Sequence, residues 1–276
     1  MENCVVIIPV HKPDPSKYEL ISFEQCYKIL YNRSIYVIAP VELDLTAYKA
    51  IVPDCKVIRI SSKWQSNLLN YNKLKLSMFF YNLFGNYKYM LTYELDAFIF
   101  KDNLSYWCDK DYDYIGAPWF EGYGENPGDK LIGMGNSGFS LRKLSAIKKG
   151  LKAIYYPDPT VFQKPYSRWY VQKVKKQYVK IASGVAGFVN LFFKENPSIQ
   201  KSMRLDEDRV IIDYMAKKVD GFRLAPVSEA ATFSFEVKPE VLYAMNKQSL
   251  PMGCHAWWRY NLEFWKPFIE QFGYQL

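Results

Sequence analysis

The stretch that most constrains this chain is residues 87–100, Tyr-Lys-Tyr-Met-Leu-Thr-Tyr-Glu-Leu-Asp-Ala-Phe-Ile-Phe. Its first part reads as a buried strand and its last part is apolar again, yet Glu94 and Asp96 sit between them. Carboxylates are almost never buried without a partner. On extended backbone, residues i and i+2 project to one face, so both acids are expected to reach a single divalent cation. Hard cations that hold phosphates are bound in this way, by one or two carboxylates plus the phosphate oxygens. The segment points to a buried strand that ends at a cation, and to handling of a phosphorylated donor.

Upstream, the pattern alternates. Residues 4–10, Cys-Val-Val-Ile-Ile-Pro-Val, form a β-branched run closed by Pro9 and Pro13, a first buried strand. A helix is expected over 22–32, a second strand over 35–39 stopped by Pro40, and a third over 55–60. Residues 68–84 have helical spacing and end at Gly85, and 88–93 is the next strand. Strands alternating with helices indicate a mostly parallel sheet, and such sheets bind ligands outside their carboxyl ends. Glu94 and Asp96 fall there.

The second half differs. Residues 113–119 read as a strand entering a turn, 122–135 as a Gly-rich mobile loop, and 135–142 as a small-residue approach to a ligand followed by a returning strand. Over 169–181, Val171, Val174, Tyr178 and Ile181 share one helical face while Lys173, Lys176 and Lys180 oppose it. Residues 181–193 continue as an apolar stretch too short to span a membrane, and Asp206, Glu207 and Asp208 open a helix carrying Val210, Ile211, Tyr214 and Met215.

At 276 residues the chain is long enough for a large core, and its 49% hydrophobic and 17% aromatic shares exclude a disordered polyelectrolyte. Twenty-three tyrosines and seven tryptophans suit sugar and nucleobase sites, since such rings stack and hydrogen-bond; an aromatic core explains them equally well. The five cysteines are scattered and form no C-x-x-C pair, so neither a disulfide framework nor a zinc ribbon is expected and a reducing cytosol is the simplest compartment. No signal-like start or roughly twenty-residue apolar run is present, which suggests a cytoplasmic protein, soluble or peripheral on the inner face of the membrane. Charge is concentrated: residues 142–180 hold eleven Lys/Arg and one acid, +10 in a chain of net +8. A solvated surface is the ordinary reading of such a run; the lysine stripe also suits an interfacial helix on anionic lipid.

Five blocks occur in order: Tyr-x-Leu-Asp-Ala-Phe-x-Phe at 93–100, Asp-Tyr-Ile-Gly-Ala-Pro-Trp at 113–119, Gly-Asn-Ser-Gly-Phe-Ser-Leu-Arg at 135–142, Glu-Asp at 207–208 and Gly-Cys-His-Ala-Trp at 253–257. In these the chain resembles a little-characterised, mostly microbial family of glycosyltransferase-like proteins with a GT-A type fold. The resemblance runs from about residue 5 to residue 258. It implies a single α/β domain with a Rossmann-like, mostly parallel central sheet. Residues 1–112 would be a nucleotide-sugar-binding half and 113–276 an acceptor-binding half, with Mn²⁺ or Mg²⁺ between them. One departure stands out: that fold often carries Asp-x-Asp, and here the first position is Glu94. Asp96 is therefore the expected metal ligand, with Glu94 helping or contacting ribose, and the resemblance puts His255 in the metal sphere.

Each candidate has an ordinary alternative. The acids at 94 and 96 would otherwise cap a turn or pair with lysines. His255, one of two histidines, suits Mn²⁺ as a neutral imidazole, though a lone histidine is commonly structural. Pro9, Val10 and His11 follow the first strand and are expected near the nucleobase; a loop histidine is the plain alternative. Asn72 and Lys73 precede the metal strand, where Lys73 would pair with a diphosphate as a point charge or simply face solvent. An acid at a helix start is often a cap or dipole partner. An inverting transferase needs a base to deprotonate the acceptor, and the resemblance assigns that role to Asp208, with Glu207 in reserve. Trp119, Asn136, Ser137, Gly138 and Trp257 are expected along the donor sugar or acceptor, a buried Trp119 being the core alternative.

The leading reading is a metal-dependent glycosyltransferase moving a sugar from a nucleotide-sugar donor, UDP-linked, to a glycan, polysaccharide or lipid-linked oligosaccharide acceptor, by inversion. A nucleotidyltransferase acting on sugar phosphates is the second class. It would usually show a Gly-rich basic loop after the first strand, and residues 9–13 contain no glycine. A nucleic-acid binder is prompted by the basic segment but has no recognition motif, and an inactive sugar-binding relative is prompted by Glu94.

Overall fold

A computed structural model of the chain describes residues 3–122, 127–155, 185, 188 and 190–276. The chain falls into two compact units: residues 1–62, 86–143 and 223–276 form one, residues 63–85 and 144–222 the other.

Among the described residues the first unit contains all the strands: β1 (Cys4–Pro9), β2 (Ser34–Pro40), β3 (Lys56–Ile60), β4 (Tyr89–Tyr93), β5 (Phe98–Ile99), β6 (Tyr114–Ile115), β7 (Ala117–Phe120), β8 (Leu131–Gly135), β9 (Phe139–Lys143), β10 (Ser234–Phe235) and β11 (Gly253–Cys254). Six of them make one sheet in the order β3-β2-β1-β4-β9-β6. β3, β2, β1 and β4 run parallel, and β9 turns back antiparallel to β4. β1 and β4 are buried along their whole length, which is why each reads as a continuous apolar run rather than an alternating one. β3, at the edge, exposes Lys56 and Arg59, charges that discourage pairing with another strand.

Helices α1 (Lys17–Ile29) and α2 (Thr46–Ile51) connect the first strands. α1 starts five residues before the expected position because Ser16 and Glu19 form a capping box: Ser16 N–H donates to Glu19 Oε2 (2.7 Å) and Glu19 N–H to Ser16 Oγ (3.3 Å). The expected single strand at 113–119 is two strands in two sheets. They part at Gly116, where a Cβ would overlap the Gly135 carbonyl. Within the expected loop at 122–135, residues 131–135 form β8 and pair with β7, while 123–126 lie outside the described residues. A third sheet, β10-β11-β5, backs onto an aromatic core containing Phe98, Phe100, Phe235, Trp257 and Trp265.

The second unit carries α3 (Leu68–Lys75), α4 (Met78–Asn82) and α6 (Leu144–Ala153), while α5 (Leu104–Asp109) belongs to the first. The helix expected over 68–84 breaks because Ser77 ends one segment and starts the next. Its hydroxyl donates to the Leu74 carbonyl (2.7 Å) and accepts from Phe80 N–H (3.2 Å). The helix expected after Asp206 is a short α segment, Glu207–Val210, that runs into a π-helical turn, Ile211–Met215. The amphipathic helix expected over 169–181, and most of the apolar stretch 181–193, lie outside the described residues. All five cysteines are buried and free. Among the described residues no helix is long and apolar enough to cross a membrane.

Candidate metal centre

β4 stops at Tyr93, and the backbone turns instead of continuing extended, with Ala97 N–H donating to the Glu94 carbonyl (2.9 Å). Glu94 and Asp96 therefore converge through a turn rather than through the pleat. After the turn the chain enters a different sheet, where Phe98 stands opposite Cys254 and Ile99 opposite Gly253. β11 in turn pairs with β10, Cys254 beside Phe235. One residue past these pairs lie His255 and Glu236, with His255 N–H donating to the Phe235 carbonyl (3.0 Å). Short strands in strict register thus bring residues 96, 236 and 255 to one sheet end.

The side chains meet there. His255 Nε2 is 3.1 Å from Asp96 Oδ1 and 3.7 Å from Glu94 Oε2, and Nδ1 is 2.8 Å from Glu236 Oε1. Glu94, Asp96 and His255 can each offer one ligand atom within 4.8 Å of the others, a spacing that suits one metal ion. Two carboxylate oxygens and an imidazole nitrogen are a donor set that Mn²⁺ accepts readily. The Asp96 side chain is 33% exposed and that of Glu94 24%, so both reach solvent, whereas Glu236 is buried. Burial opposes a charged His255, but Asp96, Glu236 and Glu94 outweigh it and hold the ring's pKa well above the ordinary histidine value.

The 135–142 block serves this centre as a scaffold. Asn136 is left-handed (φ 84°) and its Oδ1 accepts from Gly138 N–H (2.7 Å) and Phe139 N–H (3.1 Å). The Gly138 carbonyl accepts from Glu94 N–H (2.7 Å), and a Cβ at 138 would overlap the His255 ring. Glycine is needed at 138 because the imidazole occupies the space. Arg142 is fully buried and donates to the Ser137 carbonyl (3.2 Å) and to Ser140 Oγ (3.0 Å). It braces this turn and does not belong to the basic surface with which its sequence position grouped it.

Other expected site residues are placed as follows. Pro9 and Val10 are buried at the carboxyl end of β1, adjacent to β4, and His11 is exposed beyond them. Trp119 is nearly buried on the β7–β8 hairpin, and Ser137 lies in the Gly138 turn. Trp257 is fully buried: Nε1–H donates to Ser22 Oγ (3.0 Å) and the ring packs on Tyr18 and Trp258, so it is core and faces no ligand. Asn72, Lys73, Glu207 and Asp208 belong to the second unit. There Asn72 Nδ2 donates to Asp206 Oδ1 (3.1 Å) and Asn72 Oδ1 accepts from Glu207 N–H (3.4 Å). Burial and the charge of Arg204 lower the Lys73 pKa. Glu207 pairs with Lys75 (3.4 Å), both sealed from solvent, which makes it a structural acid in place of a reserve base. Asp208 is nearly buried and its Oδ1 accepts from Arg209 N–H (2.7 Å).

Sequence reasoning missed Glu236. The alternating run Phe233-Ser234-Phe235-Glu236-Val237 reads as a strand ending in an acid, the same signature as residues 89–96, and was the available signal. Also missed was a cavity of about 400 Å³ lined by Val237, Lys238, Arg259, Tyr260 and Asn261 among others. Burial, and then the charge of Glu236, raise the Tyr260 pKa.

The model of a family described as proteins of unknown function, DUF5672, matches residues 54–255. No curated protein matches the chain in sequence. Among solved structures it is similar to mouse xyloside xylosyltransferase 1 in its apo form, with 11% identity, a TM-score of 0.50, and coverage of 92% of this chain and 97% of that one. A glycosyltransferase involved in glycosylating the major capsid of PBCV-1 gives 12% identity and a TM-score of 0.42 over 91% of this chain and 93% of that one. The galactosyltransferase LgtC, in complex with donor and acceptor sugar analogues, gives 13% and 0.43 over 91% and 86%. At such identities the likeness is one of fold: α/β with a mostly parallel central sheet, the GT-A glycosyltransferase type.

Proposed function

We propose that this chain, which belongs to the DUF5672 family, is a glycosyltransferase that uses a divalent cation and a nucleotide-sugar donor, UDP-linked, to extend a glycan. The observation that carries the reading is the convergence of Glu94, Asp96 and His255 at the carboxyl end of β4, where sheets of this kind bind ligands. The imidazole in the donor set favours Mn²⁺ over Mg²⁺, which prefers oxygen ligands. When bound, such a cation would stabilise negative charge on a departing nucleoside diphosphate, worth several kcal/mol.

The chain's own residues would do the rest. Asp96 and Glu94 supply the anionic side of the cation site, and His255 the neutral ligand. Pro9, Val10 and His11, at the end of the neighbouring β1, offer backbone and a ring to the base. Asn136 and Gly138 shape the wall beside His255, and the cavity at Tyr260 offers an aromatic face for a sugar. Asp208 would accept the proton of the acceptor hydroxyl in an inverting reaction, a role that rests on the family resemblance.

The acceptor is proposed to be glycan anchored in an anionic membrane. Residues 63–85 and 144–222 hold eighteen Lys/Arg against seven Asp/Glu, a net +11, leaving −3 for the rest of the +8 chain. The same unit exposes Phe188, Phe192 and Phe193, rings suited to a lipid interface. Sedimentation with vesicles of anionic or neutral lipid tests this; equal, negligible binding to both ends the membrane reading.

Thermal-shift measurement with nucleotides, with and without Mn²⁺, tests the core proposal. UDP is expected to raise the melting temperature only with Mn²⁺, and Asp96→Ala to remove that response. A UDP response that needs no cation, or that survives in Asp96→Ala, overturns it. Asp208→Asn should keep nucleotide affinity and lose turnover.

A further inference from the structure

We infer that Glu236 is a positioning residue of the cation site: it keeps the His255 proton on Nδ1 and turns Nε2 toward the point where Glu94 and Asp96 converge. This rests on the reading of that point as a cation site. Glu236 is 4% exposed, and its Oε1 lies 2.8 Å from Nδ1. A carboxylate can only accept here, and a neutral imidazole has one N–H and one lone pair. The proton must therefore sit on Nδ1, and Nε2 is left as the ligand atom.

The arrangement is built by backbone. The parallel pairing of Phe235 with Cys254 sets the two following side chains next to each other, and His255 N–H donates to the Phe235 carbonyl (3.0 Å). On the ring's other edge, Nε2 is 3.1 Å from Asp96 Oδ1. Gly138 closes the remaining side, since a Cβ there would overlap Nε2 and Cδ2. The ring thus has one acid behind it, two in front and a close backbone wall. Metal-bound histidines commonly donate their second N–H to a carboxylate, and losing that partner typically lowers metal affinity by about 10–100-fold. Unlike the other three residues, Glu236 would touch neither cation nor substrate; it acts through His255.

The test is Mn²⁺ affinity of the full-length, metal-free protein by calorimetry, without nucleotide. Glu236→Ala is expected to weaken Mn²⁺ binding about 10–100-fold, and Glu236→Gln by less, because the amide oxygen still accepts from Nδ1–H. In a His255→Ala background Glu236→Ala should cause no further loss, the non-additivity expected of residues acting as one unit. Nitrogen NMR of His255, recorded at a pH high enough for the ring to be neutral, should show the Nδ1–H form in the unmutated protein and a tautomer mixture in Glu236→Ala, a signature that a purely structural role would not move. Thermal unfolding without metal checks the fold, and Glu236→Gln carries the test if the alanine variant fails to fold. If His255→Ala weakens Mn²⁺ binding but neither Glu236 variant does, or if Glu236→Ala costs as much without His255 as with it, the positioning role is wrong. If His255→Ala binds Mn²⁺ normally, the cation reading itself fails and this inference falls with it.

Discussion

Asp96 and Glu207 are both acids that the sequence marks as chemical, and the fold treats them in opposite ways. Glu207 lies sealed in the second unit against Lys75, 3.4 Å away, and Lys75 Nζ also sits 4.0 Å above the Tyr71 ring. Asp96 keeps a 33% exposed side chain and meets Glu94 and His255 around a shared point. An internal counter-charge in a dry setting makes an acid part of the architecture. Acids that converge on one another at a solvent-reaching sheet end are arranged for a charge that comes from outside. The contrast lies in partner and exposure, not in residue type.

The largest effect expected on the architectural side is from Lys75→Met. It leaves Glu207 buried without its cation and should lower unfolding free energy by about 3–5 kcal/mol, read by urea denaturation. Replacing both partners with apolar residues should recover most of that loss; failure to recover would mean that Lys75 and Glu207 have independent tasks. Gly138→Ala joins the two sides of the comparison. The added methyl must displace His255, so a loss of about 1–3 kcal/mol from overpacking should come with weaker Mn²⁺ binding, measured on one sample by unfolding and calorimetry. Ser77→Ala removes only a helix cap and should cost about 1 kcal/mol with Mn²⁺ binding unchanged. Asp96→Ala should be smallest in stability, under about 1 kcal/mol for a partly exposed charge, while abolishing Mn²⁺ binding. A large destabilisation there would erase the distinction between the two acids.

Much of the fold was legible because it is local. β1 to β4 are short runs rich in β-branched and aromatic residues, β1 and β4 buried along their whole length, and their positions follow from the pattern within a residue or two. The errors were equally local in origin. The break at Ser77 and the early start of α1 depend on single side chains that cap a helix, a signal that apolar periodicity overrides when only spacing is considered. Residues 94 and 96 do converge, but through a turn in place of the extended chain that the i, i+2 spacing suggests.

By itself the chain's sequence determined where its strands begin and which acids stand at the end of β4, because these follow from composition over a few neighbouring residues; His255 entered as a candidate ligand through the family resemblance. The tertiary structure alone decided which partners each side chain received. It set Glu236 behind His255 through the pairing of β10 with β11, sent Trp257 into the core against Ser22, and gave Glu207 to Lys75. Those outcomes depend on contacts between residues far apart in the chain, whose register is fixed by packing and hydrogen bonding across strands, and no short window of sequence contains both halves of such a contact.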